Sequence, residues 1–160
     1  MTATPTGRLR ELGLTLPPVT APLAAYVPAV RAGDQVYVSG QLPMLDGKLR
    51  ATGKVGAEVS VEQAAELARW CALGALAAVD ALVGLDSVTG VLKVVGFVAS
   101  ASGFTGQPEV VNGASELFGA VFGGAHARSA VGVAELPRGA PVEVEAIFLL
   151  GPRPAEMGRP

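Results

Sequence analysis

The most constraining feature of this chain is the signal for a long apolar helix in its first half. Ser60 and Gln63 stand in the pattern of a capping box, in which each side chain bonds the backbone of the other residue. Apolar residues then dominate residues 64–83, and Gly84 suits the left-handed turn that ends a helix. A helix that is apolar over most of its circumference has to be buried on more than one side.

The second half of the chain predicts strands on either side of another helix. Residues 88–99 are a near-continuous β-branched run, typical of a central strand covered on one face by helices. Pro108 fits the first position of a helix that ends at Gly123-Gly124. Residues 127–136 and 141–150 then predict two strands around a turn at Pro137-Arg138-Gly139.

The first 60 residues predict smaller elements. Residues 8–12 can form one helical turn, and residues 35–39 alternate as a strand that Gly40 ends. A turn at Asp46-Gly47 predicts a short returning strand over residues 48–52. The whole order is a hairpin, a helix, a strand, a helix and two strands. It predicts an α+β sandwich with two helices packed on one face of a mixed β-sheet.

The domain organisation follows from the distribution of prolines and glycines. We expect an N-terminal arm over residues 1–25, a single domain over residues 26–150 and a loose tail over residues 151–160. No internal repeat or interdomain linker interrupts the middle of the sequence. The tail is rich in proline and glycine, which disfavours a regular element there.

Composition predicts self-association. The chain is 50% hydrophobic and 16% charged, against about 25% charged residues in an average soluble domain. We therefore expect it to bury part of its surface against copies of itself. The net charge of −2, the absence of a Lys/Arg run and 5% aromatic residues disfavour nucleic-acid binding.

Cysteine and histidine counts limit the chemistry further. Cys71 and His126 are the single members of their types, so the sequence cannot supply the usual zinc ligand sets. One cysteine also cannot form an intrachain disulfide, and the N-terminus lacks an apolar signal region. Together these features predict a cytoplasmic protein.

Arg128 and two glutamates are the main candidates for chemistry. Arg128 lies among small residues, where its planar guanidinium can form a bidentate contact with a carboxylate; a surface or interface salt bridge is the alternative. Glu143 and Glu145 share one strand face, with Cα atoms about 6.5–7 Å apart. Both can be solvent-exposed, but either one in an apolar pocket would have a raised pKa and could act as a general base.

His126 and Cys71 have plainer alternatives. His126 can be combined with Ser129 or Ser39 into a Ser–His arrangement, but a histidine in a loop or at a strand edge is the favoured interpretation. Cys71 lies within the apolar helix, which favours a buried, unreactive thiol.

Five motifs together resemble the Rid/YjgF family, which is also called L-PSP endoribonuclease-like. They are GAHARSAVGVAELP over 124–137, VEVEA over 142–146, YVPAVR over 26–31, VSGQLP over 38–43 and VNG over 111–113. The resemblance spans nearly the whole domain, and its Arg, Leu-Pro and Glu-x-Glu elements occur in order. Two positions depart from the better-known deaminases: His126 stands where many have proline, and Ala130 replaces a common cysteine.

The resemblance implies a chorismate-mutase-like fold, a homotrimer with clefts between subunits, and hydrolysis of reactive enamines and imines without a cofactor or metal. Products of this chemistry are 2-keto acids and ammonia. On this pattern Arg128 binds the substrate carboxylate and Glu143 orients or activates water. The implied pocket-lining residues are Tyr26, Ser39, Gly40, Asn112 and the backbone of Ala130.

Three functions therefore remain open from the sequence. The first is the imine deaminase that the family pattern implies. The second is a non-catalytic module that binds a small carboxylate in the same cleft. The third is the endoribonuclease of the family's older label, which the acidic composition disfavours because it offers no basic groove.

Overall fold

A mixed sheet of five strands, with helices packed on one of its faces, forms the centre of the protein. The computed structural model describes residues 4–19 and 25–152. In chain order the elements are α1 (Pro5–Glu11), β1 (Ala29–Ala32), β2 (Gln35–Gln41), β3 (Met44–Leu45), β4 (Lys48–Leu49), α2 (Val61–Val83), β5 (Val88–Ala99), α3 (Gln107–Phe122), β6 (Ala127–Val133) and β7 (Val142–Leu150).

The sheet has the order β1-β2-β7-β5-β6. β5 and β6 are parallel because α3 connects them, and every other neighbouring pair is antiparallel. α2 and α3 pack against each other and against the same face of the sheet. The predicted α+β architecture is confirmed.

The long helix α2 begins and ends where the sequence predicts. Ser60 Oγ accepts a hydrogen bond from the Gln63 backbone N–H, and Gln63 Oε1 accepts one from the Ser60 N–H, both at 3.1 Å. Gly84 ends the helix with a positive φ of 77°. Small and aliphatic side chains along α2 are buried against both α3 and the sheet, as its apolar circumference requires.

The N-terminal hairpin differs from the prediction. β2 pairs with β1, whereas the predicted returning strand is limited to β4 and pairs with β3 outside the main sheet. Gly40 also does not end β2, which continues to Gln41 across a register shift after Val38. A bulge admits the extra residue without ending the strand, and a glycine fits such a position easily.

Three further predictions need correction. The last two strands do not pair with each other, because β5 lies between β7 and β6 in the sheet. β6 ends at Val133, three residues before the predicted Leu136. Pro108 occupies the second position of α3 rather than the first, which its missing N–H permits equally well.

The described part of the predicted arm contains a third helix. α1 buries Leu9 in the core, and Arg8 Nη1 donates a hydrogen bond to the Val121 carbonyl of α3 at 3.2 Å. The Thr6 N–H donates to Asp86 at 2.8 Å, which links α1 to the turn before β5. The rest of the predicted arm, residues 1–3 and 20–24, and most of the predicted tail, residues 153–160, lie outside the described residues.

The two faces of the sheet differ in their cover. Along β7 the even-numbered residues from Val142 to Phe148 are buried beneath the helices, as predicted, and the odd-numbered ones are only half-buried. The second face, called the open face below, carries Tyr37, Val95, Phe97, Val131 and Ile147. No helix within residues 4–19 and 25–152 combines the length and hydrophobicity needed to cross a lipid bilayer.

Candidate functional site

Arg128 lies on the helix-covered side of the edge strand β6. It pairs with Val94 of β5, a fully buried residue, so its side chain leaves the sheet toward α3. Its Nη1 atom donates hydrogen bonds to Asn112 Oδ1 at 2.7 Å and to Ser115 Oγ at 3.3 Å. Asn112 and Ser115 are three residues apart and therefore share one face of the helix. This places Arg128 beside one of the predicted pocket residues.

His126 shares the serine that contacts Arg128. Its Nε2 atom lies 3.0 Å from Ser115 Oγ. The pKa of His126 is lowered, first by partial burial and second by the positive charge of Arg128, which keeps the imidazole neutral near physiological pH. Its serine partner is thus Ser115, and neither Ser129 nor Ser39 of the sequence interpretation. Ser115 was not recognised in the sequence; its spacing from Asn112 was the available signal.

Ala130 lies two residues beyond Arg128 and on the same side of β6. It pairs with Gly96 of β5, and a side chain at Gly96 would collide with Val111 of α3. The close approach of helix and sheet leaves Ala130 half-buried against the core. Arg128, Asn112 and Ala130 therefore form one group between β6 and α3, called the Arg128 group below.

Glu143 lies on the open face of the sheet. It pairs with Phe97, which is three residues along β5 from Val94, the partner of Arg128. Side chains alternate along a strand, so an odd separation places Arg128 and Glu143 on opposite faces. The two predicted catalytic residues are therefore not brought together within one chain.

The surroundings of Glu143 oppose its ionisation. The carboxyl is half-buried, and its pKa is raised, first by that burial and second by the negative charge of Glu145. Its carboxylate lies directly against Gly40, where a Cβ atom would overlap Glu143 Oε1. A carboxyl group held in this way can accept a proton closer to neutrality than an exposed glutamate can.

Ser39 fixes the segment that carries Tyr26. Ser39 Oγ donates a hydrogen bond to the Val27 carbonyl at 2.7 Å, and the Ser39 N–H donates to the Pro28 carbonyl at 2.9 Å. Tyr26, next to Val27, is 47% exposed. Glu143 lies against Gly40, Ser39 precedes Gly40 in β2, and Tyr26 belongs to the segment that Ser39 holds. These four residues are called the Glu143 group below.

The described residues also contain two surface depressions, neither lined by Arg128 or Glu143. One of about 370 Å³ lies beside Trp70 and the β3–β4 hairpin, and one of about 310 Å³ lies on the open face beside Tyr37, Lys93 and Glu145. Within residues 4–19 and 25–152, no three His, Cys, Asp or Glu side chains are grouped closely enough to hold a metal ion.

Comparison with known proteins decides the family. The family model described as Endoribonuclease L-PSP, also known as YjgF/Rid, matches residues 18–149. The chain belongs to the YjgF/Rid family. This membership confirms the resemblance that the five sequence motifs indicated, and the fold of the neighbours is the expected chorismate-mutase-like one.

Three members of the YjgF/Rid family or its fold are informative. Protein TCP17 of Trypanosoma cruzi is 46% identical over 146 residues, covering 89% of this chain and 91% of TCP17. A protein of unknown function from Agrobacterium tumefaciens, known from a crystal structure, is 46% identical in sequence, with a TM-score of 0.83. The match covers 93% of this chain and 94% of that protein. Escherichia coli TdcF, solved with bound serine, is 25% identical with a TM-score of 0.63, covering 85% and 94%.

Proposed function

We propose that this protein hydrolyses small 2-imino acids and their enamine forms to 2-keto acids and ammonia, at sites assembled between copies of the chain. The observation that carries the proposal is the division of the site: a cationic Arg128 group on one sheet face and a basic Glu143 group on the other. Membership of a family that includes RidA proteins and a member with bound serine supports a small amino-acid-derived ligand.

Arg128 is the proposed carboxylate-binding residue. Asn112 and Ser115 occupy Nη1, so the guanidinium is held without being neutralised by them. A planar, permanently charged fork matches the geometry of a carboxylate and fixes the substrate in one orientation. The adjacent imine carbon is then held at a defined position for attack by water.

Glu143 is the proposed general base. Its carboxylate takes a proton from water while the water oxygen bonds to the imine carbon and the C=N electron pair moves to nitrogen. Glu143 returns this proton to the nitrogen, which gives the neutral carbinolamine. The carboxylate then takes the proton of the new hydroxyl group and passes it to the nitrogen as the C–N bond breaks, so that the keto group forms and ammonia leaves. An imine is already electrophilic, so this sequence needs orientation and one base rather than a covalent nucleophile.

The proposed assembly is a homotrimer of the domain over residues 26–150. The Arg128 group of one copy meets the Glu143 group of the next across a head-to-tail interface, and such interfaces close into rings. The open face carries apolar side chains that a partner can cover, among them Tyr37 at 45% and Val131 at 43% exposure. With Cys71 buried as a free thiol, we place the protein in the cytoplasm.

The proposal is tested by generating 2-aminoacrylate from L-serine with a dehydratase and following its conversion to pyruvate and ammonia. The protein should accelerate this conversion, and Arg128→Ala should weaken the acceleration by about 10- to 150-fold, as expected for loss of a charged contact. Arg31→Ala is the matched control because Arg31 is exposed and donates only to the Gly33 carbonyl among the described contacts. If the wild-type protein leaves the imine lifetime unchanged with several amino-acid precursors, the proposed hydrolase activity is refuted. Pyruvate binding without turnover would indicate the non-catalytic module instead.

A further inference from the structure

The guanidinium of Arg128 is held from one side only among the described contacts. Both of its hydrogen bonds to residues 4–19 and 25–152 leave from Nη1, which has two hydrogens for two acceptors. The Nε–H and one Nη2–H bond are parallel in any guanidinium and point to its opposite side. That pair forms the second fork able to bind a carboxylate bidentately.

We propose that Ser115 and His126 are positioning residues that fix Arg128 so that its Nε–Nη2 edge receives the substrate carboxylate side-on. This inference rests on the proposed function, because it names how that site selects a carboxylate. Neither residue touches the substrate. Both act through the orientation of the guanidinium plane.

Hydrogen-bond direction supports this order of contacts. Ser115 Oγ accepts from Arg128 Nη1, so its own hydrogen is available to donate to His126 Nε2 at 3.0 Å. A neutral His126 with its hydrogen on Nδ1 accepts that bond and prevents the hydroxyl from rotating away. Asn112 holds the other Nη1 hydrogen through Oδ1, and its amide N–H groups remain able to donate to a ligand.

The anchoring is built from three different elements. Ser115 lies on α3, Arg128 lies in β6, and His126 lies in the connection just before that strand. An arginine side chain without these contacts would sample many rotamers. Binding would restrict it to one of them, and this loss of conformational entropy lowers the affinity. Fixing Nη1 from α3 while leaving the second fork open reduces that loss without occupying the binding edge.

The test measures the binding of pyruvate and of methyl pyruvate by calorimetry, together with KM and kcat in the imine assay. Ser115→Ala should weaken pyruvate binding about three- to tenfold, as expected for one lost hydrogen bond, and raise KM more than it lowers kcat. Methyl pyruvate lacks the carboxylate charge, so its affinity should not change. Alanine is the best helix former, so the variant should keep α3 intact.

Conservative replacements and a matched control sharpen the result. Ser115→Thr keeps the hydroxyl and should restore pyruvate binding; His126→Gln keeps an acceptor, whereas His126→Ala removes it and should weaken binding. The double variant Ser115→Ala/His126→Ala should bind pyruvate no more weakly than Ser115→Ala alone, because both residues act through the same chain of hydrogen bonds. Ser87→Ala is the control, since it removes a hydroxyl that bonds Val83 and Gly84 far along the chain from Arg128.

Two results would overturn the inference. One is an unchanged pyruvate affinity in folded Ser115→Ala, and the other is an equal loss for pyruvate and methyl pyruvate, which a structural role would cause. Failure of the proposed function is distinct, because it appears in the wild-type protein as absence of turnover.

Nitrogen NMR of the Arg128 guanidinium in the ligand-free protein gives an independent readout. Rotation of the Nη1 group should become faster in Ser115→Ala, and an unchanged rate would also contradict the inference.

Discussion

At the residue scale, Glu143 is the group whose behaviour depends most on its neighbours. Burial is the larger cause of its raised pKa, and the charge of Glu145 is the smaller one. The ionised form of Glu143 is therefore disfavoured both by its burial on the sheet and by the negative charge two residues along the strand. A base in this environment gains its activity only once the pH exceeds its own raised pKa.

This predicts the acid limb of the pH–rate profile. The value of kcat/KM should fall as the pH decreases through the pKa of Glu143, because only the ionised carboxylate can accept a proton from water. Glu145→Gln removes the repelling charge, so the midpoint should move to lower pH. Glu66→Gln, an exposed change on α2, serves as the control. A midpoint that rises or stays fixed in Glu145→Gln would contradict the assignment of Glu143 as base.

Gly40 supplies a second prediction at this scale. A methyl group there overlaps the Glu143 carboxylate, so Gly40→Ala should displace the base and lower kcat/KM about tenfold or more, a barrier increase of about 1.4 kcal/mol. Gly90→Ala in β5 is the matched control, because nothing lies within 4 Å of its added Cβ. Steady-state kinetics compares kcat/KM of the two variants. Equal activities would show that the packing of Gly40 on Glu143 has no catalytic role.

Individual residues of the candidate site differ in how clearly the sequence indicates them. Arg128, Asn112 and Glu143 stood out because they lie in recognisable motifs, and their roles remain predictions. Ser115 did not stand out, since its contact with Arg128 depends on how α3 crosses β6 and no local pattern encodes that crossing. The same reason made Ser129 and Ser39 look like candidate partners of His126.

At the element scale, the packing of α3 on α2 decides whether the Arg128 group keeps its geometry. A Cβ at Gly113 would collide with the backbone of Ala65, which cannot move aside as a side chain could. Asn112 and Ser115 lie on either side of Gly113 in sequence. Displacing α3 would therefore also displace both acceptors of Arg128.

A matched pair in the same helix tests this. Gly113→Ala should lower the free energy of unfolding by about 1–3 kcal/mol through overpacking and should weaken pyruvate binding as well. Gly119→Ala meets nothing within 4 Å and should raise stability by up to about 1 kcal/mol through helix propensity. Denaturant unfolding with both variants provides the comparison. A stable, fully active Gly113→Ala would be incompatible with the close helix contact.

Helices and strands were predictable where the local sequence carries a clear hydrophobic pattern or a helix-capping signal. α2, β5 and β7 were found to within one residue because capping, β-branching and alternation all agree there. Strand pairing was less predictable. β2 pairs with β7 on both sides of a register shift at Gly40, and that glycine looks like a strand break in sequence. The separation of β6 from β7 likewise depends on the parallel crossover through α3.

At the scale of the whole molecule, the low charge content and the open face have one explanation in the proposed trimer. Tyr37→Asp places a charge on the open face and should yield monomers with little imine hydrolase activity, because desolvating an unpaired charge at an interface is costly. Leu82→Asp is the control, equally exposed at 45% but on α2, the helical side. Light scattering after size exclusion measures the mass. A trimeric Tyr37→Asp, or a monomeric wild type at micromolar concentration, would count against the assembly.

The central claim is that one active site takes Arg128 from one copy and Glu143 from the next. Its most direct test is co-expression of the chains Arg128→Ala and Glu143→Gln, each of which should have strongly reduced activity alone. Every mixed trimer would contain one site with both residues intact, so random assembly should restore about a quarter of the wild-type activity. Activity no higher than that of the single variants, in trimers shown to contain both chains, would contradict the shared site.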